Sequence, residues 1–377
     1  MNILDHDVLL DLFRNNYLFF VCGVALGAFL FTFYTLPKVL WVSHEKKLTK
    51  QINGRSSHHT QTPNFGGVAF FLVFVLFVSV LQSIQTGYTG NHLIAGMTLL
   101  FLVGLKDDLV ISTAKVKLLG QITAALFIIF SPELHLSTLH GFLGIHEVPE
   151  LIGYFLKAFL VVALINAYNL VDGIDGLAAI VGMIICTAYA CVFYITGHPY
   201  FVLLGVTVAG TLAAYLRFNF SRGKRKMFMG DSGSLIIGFM IAFLTLKVLV
   251  MEPGITVSMV AFSGYNRILL ILAILFIPIL DTGRVMILRM LGGKSPFEAD
   301  RNHAHHVLLD LGFTHWQAST CLGGLNIFVI VGFFLLSGVI SASWVTVILL
   351  LMFIIIGALL NILRSNAELR TFVKEYA

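Results

Sequence analysis

The feature that most constrains the fold of this chain is a succession of long apolar runs separated by short polar segments. Eleven such runs lie near 17–41, 66–84, 91–105, 116–131, 151–169, 176–195, 199–218, 232–251, 268–289, 319–340 and 344–363. A helix of about 20 apolar residues crosses the hydrocarbon core of a bilayer, which is about 30 Å thick. The pattern therefore predicts an all-α integral membrane protein, a polytopic bundle of about eleven transmembrane helices.

The composition also indicates that most of the chain lies in a lipid bilayer. Of the 377 residues, 58% are hydrophobic and 11% are charged, whereas soluble chains are about half apolar and about a quarter charged. The basic residues lie in short segments between apolar runs, so the net charge of +5 gives no indication of a nucleic-acid partner. We expect a single transmembrane domain over residues 1–377.

The distribution of lysine and arginine predicts the orientation of the helices. With eleven spans, the segments after odd-numbered spans share one side with the C-terminus, and they hold all but four of the 24 basic residues. Cytoplasmic segments carry this excess, so we predict that the N-terminus and loop 132–150 are outside and the C-terminus is cytoplasmic. One of the four exceptions, Lys157, lies well inside an apolar run, and the sequence suggests no function for it.

Five polar segments follow odd-numbered spans. They lie near 42–65, 106–117, 166–176, 217–233 and 281–318. Because they follow odd-numbered spans, they meet on one face of the membrane whichever orientation is right. This convergence predicts a polar active site there, and the excess of basic residues predicts that this face of the cell membrane is the cytoplasmic one.

Two carboxylate motifs are candidates for a magnesium site. Asp107 and Asp108 are adjacent at the end of the third run, and two close carboxylates repel unless a cation neutralises them. Asp231 opens the eighth run, where the N–H groups of a helix N-terminus favour phosphate. Mg²⁺ binds few carboxylates together with substrate phosphate oxygens. The alternative is that Asp107 and Asp108 lie in a solvated loop beside Lys106.

Two further polar groups are candidate functional residues. Asp172 and Asp175 are three residues apart and each precedes a glycine, which suits one face of a helical turn; a purely structural turn is the alternative. The group formed by His303, His305 and His306 follows Arg301. Its spacing, without cysteine, is not a common zinc set, and arginine grips phosphate bidentately, so we favour phosphate or sugar contacts over zinc.

A basic run precedes the eighth apolar run. It consists of Arg222, Lys224, Arg225 and Lys226. We interpret these residues as ordinary charges that set topology, with binding of an anionic lipid or a diphosphate as the alternative.

Five segments, in order, resemble one family. They are Asp107-Asp108, Asn166 to Leu177 (NAYNLVDGIDGL), Phe228 to Leu235 (FMGDSGSL), Pro278 to Asp281 (PILD) and Ser295 to His306 (SPFEADRNHAHH). Together they resemble the polyprenyl-phosphate N-acetylhexosamine-1-phosphate transferases, glycosyltransferase family 4. The histidine pattern is similar to that of the N-acetylglucosamine branch, since the peptidoglycan branch has three consecutive histidines. One departure is Ile111, where some members have a third aspartate; this puts in doubt any role that needs three carboxylates.

The resemblance implies a reaction and its participants. A UDP-N-acetylhexosamine, expected to be the N-acetylglucosamine form, donates sugar 1-phosphate to a polyprenyl phosphate such as undecaprenyl phosphate. The products are a lipid-diphosphate-sugar and UMP, and the reaction is the first membrane step of cell-surface glycan synthesis. Membrane lipid is a further expected partner, and a homodimer is allowed.

The resemblance also implies roles for individual residues. Asp231 and Asn166 are expected to bind Mg²⁺, with Mn²⁺ as a substitute, and Asp107 or Asp108 to act catalytically on the lipid phosphate. The residues expected to bind substrate are Asn169, Asp172, Asp175, Arg301, His303, His305 and His306.

Two alternative functions are a phospho-MurNAc-pentapeptide transferase of peptidoglycan synthesis and a secondary transporter. Transporters place ionisable residues near the bilayer midplane, often in repeated halves. Here the carboxylates lie at the ends of apolar runs and no internal repeat is visible, which favours the enzyme.

Overall fold

The computed structural model describes residues 16–48, 62–82, 87–110, 112–251, 264–296, 298 and 302–376. Within these ranges thirteen α-helices follow one another, with two short 3-10 helices at Pro132–Leu134 and Gly223–Arg225. The α-helices are α1 (Tyr17–Glu45), α2 (Gly66–Leu81), α3 (Thr89–Leu109), α4 (Ala114–Ile129), α5 (Glu150–Val171), α6 (Leu177–Ile195), α7 (Pro199–Asn219), α8 (Gly230–Val250), α9 (Asn266–Ile274), α10 (Phe276–Leu291), α11 (Ala304–Asp310), α12 (His315–Ser337) and α13 (Ala342–Tyr376).

Each of the eleven apolar runs falls on one of these helices or, for 268–289, on the pair α9 and α10. Seven described helices are long and apolar enough to cross a membrane, namely α1, α5, α6, α7, α8, α12 and the Ala342–Ser365 part of α13. The pair α9 and α10 would make an eighth, but its axis bends by 80° at the break. The chain is therefore a polytopic helical membrane protein.

Helix α8 is the centre of the bundle. It packs against α3 and α5, and it also contacts α2, α6, α7 and α9. Its sequence is apolar on all sides, which is typical of a helix surrounded by protein. The best apolar window of α8 is 89% buried, against 17% for α1 and for α13, whose apolar side chains point outward where lipid would lie.

Two glycines bring α2 and α3 close to the first turn of α8. A Cβ added to Gly67 would lie 2.3 Å from the backbone nitrogen of Gly233. A Cβ added to Gly104 would lie 2.4 Å from the Cα atom of Ser232. Small residues allow this backbone-to-backbone approach between membrane helices. The polar start of α8 is thereby enclosed between two other helices.

Lys157 has a structural role that the sequence did not reveal. Its ammonium group donates to the carbonyl oxygens of Ile129, the last residue of α4, and of Leu134, the latter at 3.0 Å. The last carbonyls of a helix have no intrahelical partner. Lys157 therefore caps α4 and fastens the loop that follows it to α5.

The contact at Gly104 can be tested with two matched substitutions. Gly104→Ala would force α3 away from α8, and we expect a loss of stability on the order of 1–3 kcal/mol. Gly324, in α12, has nothing within 4 Å of an added Cβ, so Gly324→Ala should be neutral or slightly stabilising through helix propensity. Thermal unfolding of both purified variants in detergent is the measurement, and equal melting temperatures would contradict the packing described here.

Candidate active site

The segment before α2 pairs with the segment before α8. The backbone N–H of Phe228 donates to the carbonyl of Pro63 at 2.8 Å. In return, the N–H groups of Gly66 and Gly67 donate to the carbonyls of Phe228 and Met229 at 3.1 and 2.9 Å. This short strand-like pairing fixes the position at which α8 begins.

Asp108 binds the N-terminus of α8. Its carboxylate accepts hydrogen bonds from the backbone N–H of Asp231 at 2.9 Å, from the backbone N–H of Ser232 at 3.0 Å and from the Ser232 hydroxyl at 2.6 Å. The Asn64 amide adds a fourth at 2.9 Å. Gly230 has a φ of +75°, and a Cβ there would lie 2.6 Å from the Asp108 carboxylate. Asp108 thus neutralises the positive end of the helix, and both its oxygens are engaged.

Asp107 has different partners from its neighbour. Its carboxylate lies 2.9 Å from the Lys117 ammonium and accepts a hydrogen bond from the N–H of Ser112 at 2.7 Å. Lys117 also contacts the Asp231 carboxylate, and the Asp107 and Asp231 carboxyl groups are within hydrogen-bonding reach of each other. We call Asp107, Lys117 and Asp231 the carboxylate cluster. The side chains of Lys117 and Asp231 are 27% and 21% exposed, so the cluster is open to a ligand.

Helix α5 contributes two asparagines beside this cluster. The amide of Asn169 donates to the hydroxyl of Ser234, in the first turn of α8, at 2.7 Å. Asn166 exchanges hydrogen bonds with Gln121 of α4 at 2.7 and 3.2 Å. Asn169 is therefore tied to the helix that carries Asp231, whereas Asn166 is bound to α4.

The donor atoms of the cluster suit a hard cation. Among the described residues, no three His, Cys, Asp or Glu side chains converge as a preformed metal site. Asp107 and Asp231 nevertheless present carboxylate oxygens side by side, and Mg²⁺ typically binds one or two carboxylates with waters and phosphate oxygens. The Lys117 ammonium supplies positive charge between them. These residues fit Mg²⁺, while a ligand role of Asn166 stays a prediction.

The loop after α5 is held by ion pairs and hydrogen bonds. Asp172 directly follows the last residue of α5. The Asp175 carboxylate lies 2.6 Å from the Lys226 ammonium and 3.4 Å from Nδ1 of His315, and its carbonyl accepts from the Ser319 hydroxyl at 2.7 Å. Lys226 is thus more than a charge that sets topology, because it fastens this loop to the segment before α8.

The histidine segment is anchored by Asp281 of α10. One oxygen of this carboxylate lies 2.8 Å from Nδ1 of His303, and the other accepts from the N–H of Ala304 at 2.6 Å. Arg284 donates to the carbonyl of Asn302. Asp281 therefore holds the start of α11. Arg301, which the sequence placed with these histidines, lies outside the described residues.

His305 is the buried member of the histidine group. It is 2% exposed, and its ring lies 4.3 Å from the His306 ring between centroids. A Cβ added to Gly173 would lie 2.1 Å from Nε2 of His305, so the glycine after Asp172 makes room for this imidazole. Burial, and then the neighbouring His306, lower the pKa of His305 to about 3. The imidazole is neutral near neutral pH and offers a hydrogen bond without adding charge.

The described candidate residues form one continuous polar region at one end of the bundle. From the carboxylate cluster it passes through Ser234 and Asn169 to the loop at Gly173, and from there to His305. Sequence reasoning missed Lys117, which it counted only among the charges that set topology. Its position in the same short segment as Asp107 was the available signal.

This fold and site define an integral membrane enzyme whose polar residues gather at one end of its helices. The sequence model of Glycosyl transferase family 4 matches residues 91–249. The chain is 31% identical to the decaprenyl-phosphate N-acetylglucosaminephosphotransferase of Mycobacterium leprae, over 78% of this chain and 77% of the relative. It is 29% identical, with the same coverage, to the undecaprenyl-phosphate alpha-N-acetylglucosaminyl 1-phosphate transferase of Escherichia coli. The chain belongs to this family, which confirms the resemblance seen in its motifs.

The different partners of the aspartate pair predict different mutant behaviour. Asp108→Asn replaces an acceptor among four donors by an amide, and we expect a loss of stability on the order of 1–3 kcal/mol. Asp107→Asn removes both the repulsion of Asp231 and the attraction to Lys117, and the amide oxygen can still accept from the N–H of Ser112. These losses and gains offset each other, so the stability of this variant should stay within about 1 kcal/mol of the parent protein. Thermal unfolding in detergent measures both, and a larger loss for Asp107→Asn would contradict these assignments.

The lowered pKa of His305 predicts a pH dependence of stability. The folded protein keeps this imidazole neutral down to about pH 3, whereas the unfolded chain protonates it near pH 6.5. Its contribution is therefore complete above pH 6.5 and declines as the pH falls through this window. His305→Gln should reduce the fall in melting temperature between about pH 7.5 and about pH 5. The control is His135→Gln, which makes the same replacement at an exposed position. An equal change in the fall of melting temperature for both variants would disprove the prediction.

Proposed function

We propose that this enzyme transfers N-acetylglucosamine 1-phosphate from UDP-N-acetylglucosamine to a polyprenyl phosphate and releases UMP. The observation that carries the proposal is the similarity, over 78% of the chain, to relatives named for decaprenyl phosphate and undecaprenyl phosphate with N-acetylglucosamine as the sugar. The carboxylate cluster beside an apolar bundle supports it, because a diphosphate donor and a lipid acceptor must meet at the border of the membrane.

The chemistry requires mainly positioning and charge neutralisation. A new bond joins the lipid phosphate to the phosphorus that carries the sugar, and the bond from that phosphorus to UMP breaks. Asp231, with Asp107 beside it, would hold Mg²⁺. When bound, the metal would neutralise the diphosphate oxygens. Lys117 would bind phosphate oxygen once the carboxylates have taken up the cation.

The aspartate pair divides into two roles. Both oxygens of Asp108 are engaged at the start of α8, so Asp108 positions the helix that carries Asp231. Asp107 is then the member of the pair that acts on the lipid phosphate. The sequence left open whether Asp107 or Asp108 acts on the lipid phosphate, and we assign that role to Asp107.

The histidine segment would bind the rest of the donor. His305, neutral and buried, can donate one hydrogen bond to the diphosphate or the sugar. His303, His306 and Arg301 would add donors around it. Asn169, Asp172 and Asp175 would position the nucleotide, and the ion pair of Asp175 with Lys226 keeps that loop in place.

The proposed topology has eleven crossings, with the N-terminus outside and the C-terminus and active site on the cytoplasmic side of the plasma membrane. Its support is the excess of basic residues after odd-numbered spans. The proposed reaction is the first membrane step of a cell-surface glycan. A homodimer stays a prediction.

Topology can be tested by labelling single cysteines after Cys22, Cys186, Cys191 and Cys321 have been replaced by serine. Leu143→Cys lies in loop 132–150 at a position that is 75% exposed, and it should react with an impermeant maleimide in intact cells. Lys294→Cys follows α10 and should react only after permeabilisation. The reverse labelling pattern would invert the proposed orientation.

The donor can be identified with purified enzyme, undecaprenyl phosphate and a panel of UDP-sugars, measuring UMP release. We expect UDP-N-acetylglucosamine to be used, and UDP-MurNAc-pentapeptide and UDP-glucose to be inactive. Turnover with UDP-MurNAc-pentapeptide alone would place the chain in the peptidoglycan branch. If protein that is folded, as shown by its melting transition, releases no UMP with any donor, the proposed reaction is refuted.

A further inference from the structure

A groove lies between α1 and the end of α7. Its volume is about 400 Å³. The apolar part of its wall includes Phe33 and Trp41 of α1 and Phe218 of α7. Every wall residue comes from α1, the end of α7 or the turn that follows. The groove therefore shares no residue with the site proposed for the transfer.

The groove changes from apolar to polar along α1. The α1 residues that line it recur at spacings of three, four and one between positions 33 and 44, so they lie on one face of the helix. At a rise of about 1.5 Å per residue this face is about 16 Å long. Phe33 marks its apolar end, Trp41 lies near the C-terminus of α1, and His44 marks its polar end. Tryptophan is enriched where hydrocarbon meets head groups.

Three basic side chains line the polar end of the groove, namely Arg217, Lys224 and Arg225. All three are exposed, and none of them forms an ion pair in the described part of the chain. Arg217 is held by a hydrogen bond to the Ser221 hydroxyl at 2.9 Å. Nε2 of His44 lies 3.1 Å from the carbonyl of Lys224, which ties the basic turn to α1.

We propose that this groove binds an anionic phospholipid. The phosphate would lie among Arg217, Lys224 and Arg225, and an acyl chain would follow Phe33 toward the apolar end. A free phosphate would use only the basic end, whereas an uncharged lipid would use only the apolar end. Only an anionic lipid satisfies both parts, because basic residues beside a membrane attract its head group while apolar walls cover its chain.

The bound lipid would also stabilise the loop after α5. Lys226, next to Arg225 in the chain, forms the ion pair with Asp175, so a head group that orders the basic turn also orders this loop. The lipid is distinct from the polyprenyl acceptor in this account. It acts as a structural ligand whose binding is measured without turnover.

The test uses the full-length protein in a neutral detergent. Addition of phosphatidylglycerol should raise the melting temperature, and phosphatidylcholine or inorganic phosphate should not. Each basic residue near a membrane surface strengthens anionic-lipid binding about fivefold, so Arg217→Gln/Lys224→Gln/Arg225→Gln should weaken it on the order of 100-fold. The double variant Lys224→Gln/Arg225→Gln keeps the bond between Arg217 and Ser221 and should weaken binding by about 25-fold.

The matched control removes three exposed charges that do not line the groove, in Lys46→Gln/Lys47→Gln/Arg222→Gln. This control should retain the response to phosphatidylglycerol, with native mass spectrometry showing the bound lipid. If the control and the double variant lose the stabilisation by phosphatidylglycerol equally, that stabilisation depends on general surface charge, and the proposed site is refuted. A higher KM for undecaprenyl phosphate in the double variant, with the phosphatidylglycerol response intact, would assign the groove to the acceptor instead. Equal stabilisation by inorganic phosphate would also refute the lipid assignment.

Discussion

The hydrogen bonds between Asp108 and the first turn of α8 are the interaction on which the rest of the site depends. Helix α8 is surrounded by other helices, so its free N-terminal N–H groups would be costly to bury without partners. Asp108 of α3 supplies the acceptors. Glycines at 67, 104 and 230 leave the room that this approach requires. A polar helix start is thereby held inside an apolar bundle.

The position of Asp231 follows from that anchor. Asp231 is the second residue of α8, and its side chain meets Asp107 and Lys117 at a partly exposed place. Asp107 and Asp108, which are neighbours at the end of α3, therefore have different roles. Asp108 holds the framework, and Asp107 belongs to the part of the site that meets phosphate. An analogous division exists at the histidine segment, where Asp281 holds His303 while His305 packs on Gly173.

Sequence reasoning predicted the helical membrane fold well, because apolar runs of bilayer length leave few alternatives. It also predicted that the motifs lie at one end of the bundle. It did not predict the bend between α9 and α10, because the sequence is apolar from 268 to 280, on both sides of the break. Pro278 near the start of α10 was the available signal. Nor could it separate Asp107 from Asp108, or Lys117 from Lys115. Asp108 contacts Ser232, 124 residues away, whereas Asp107 contacts Lys117, which in turn contacts Asp231, 114 residues away. These partners depend on how α3, α4 and α8 pack in the folded protein.

A magnesium titration of turnover distinguishes an Asp231 that holds the metal from an Asp108 that only positions its helix. Asp231→Asn and Asp108→Asn, each prepared as folded protein, are compared with the parent enzyme. We expect Asp231→Asn to raise the half-saturating magnesium concentration about tenfold or more, because one carboxylate ligand is lost. Asp108→Asn should change the amount of active protein but leave that concentration unaltered. An unchanged magnesium requirement in Asp231→Asn, or a raised requirement in Asp108→Asn alone, would contradict these two roles.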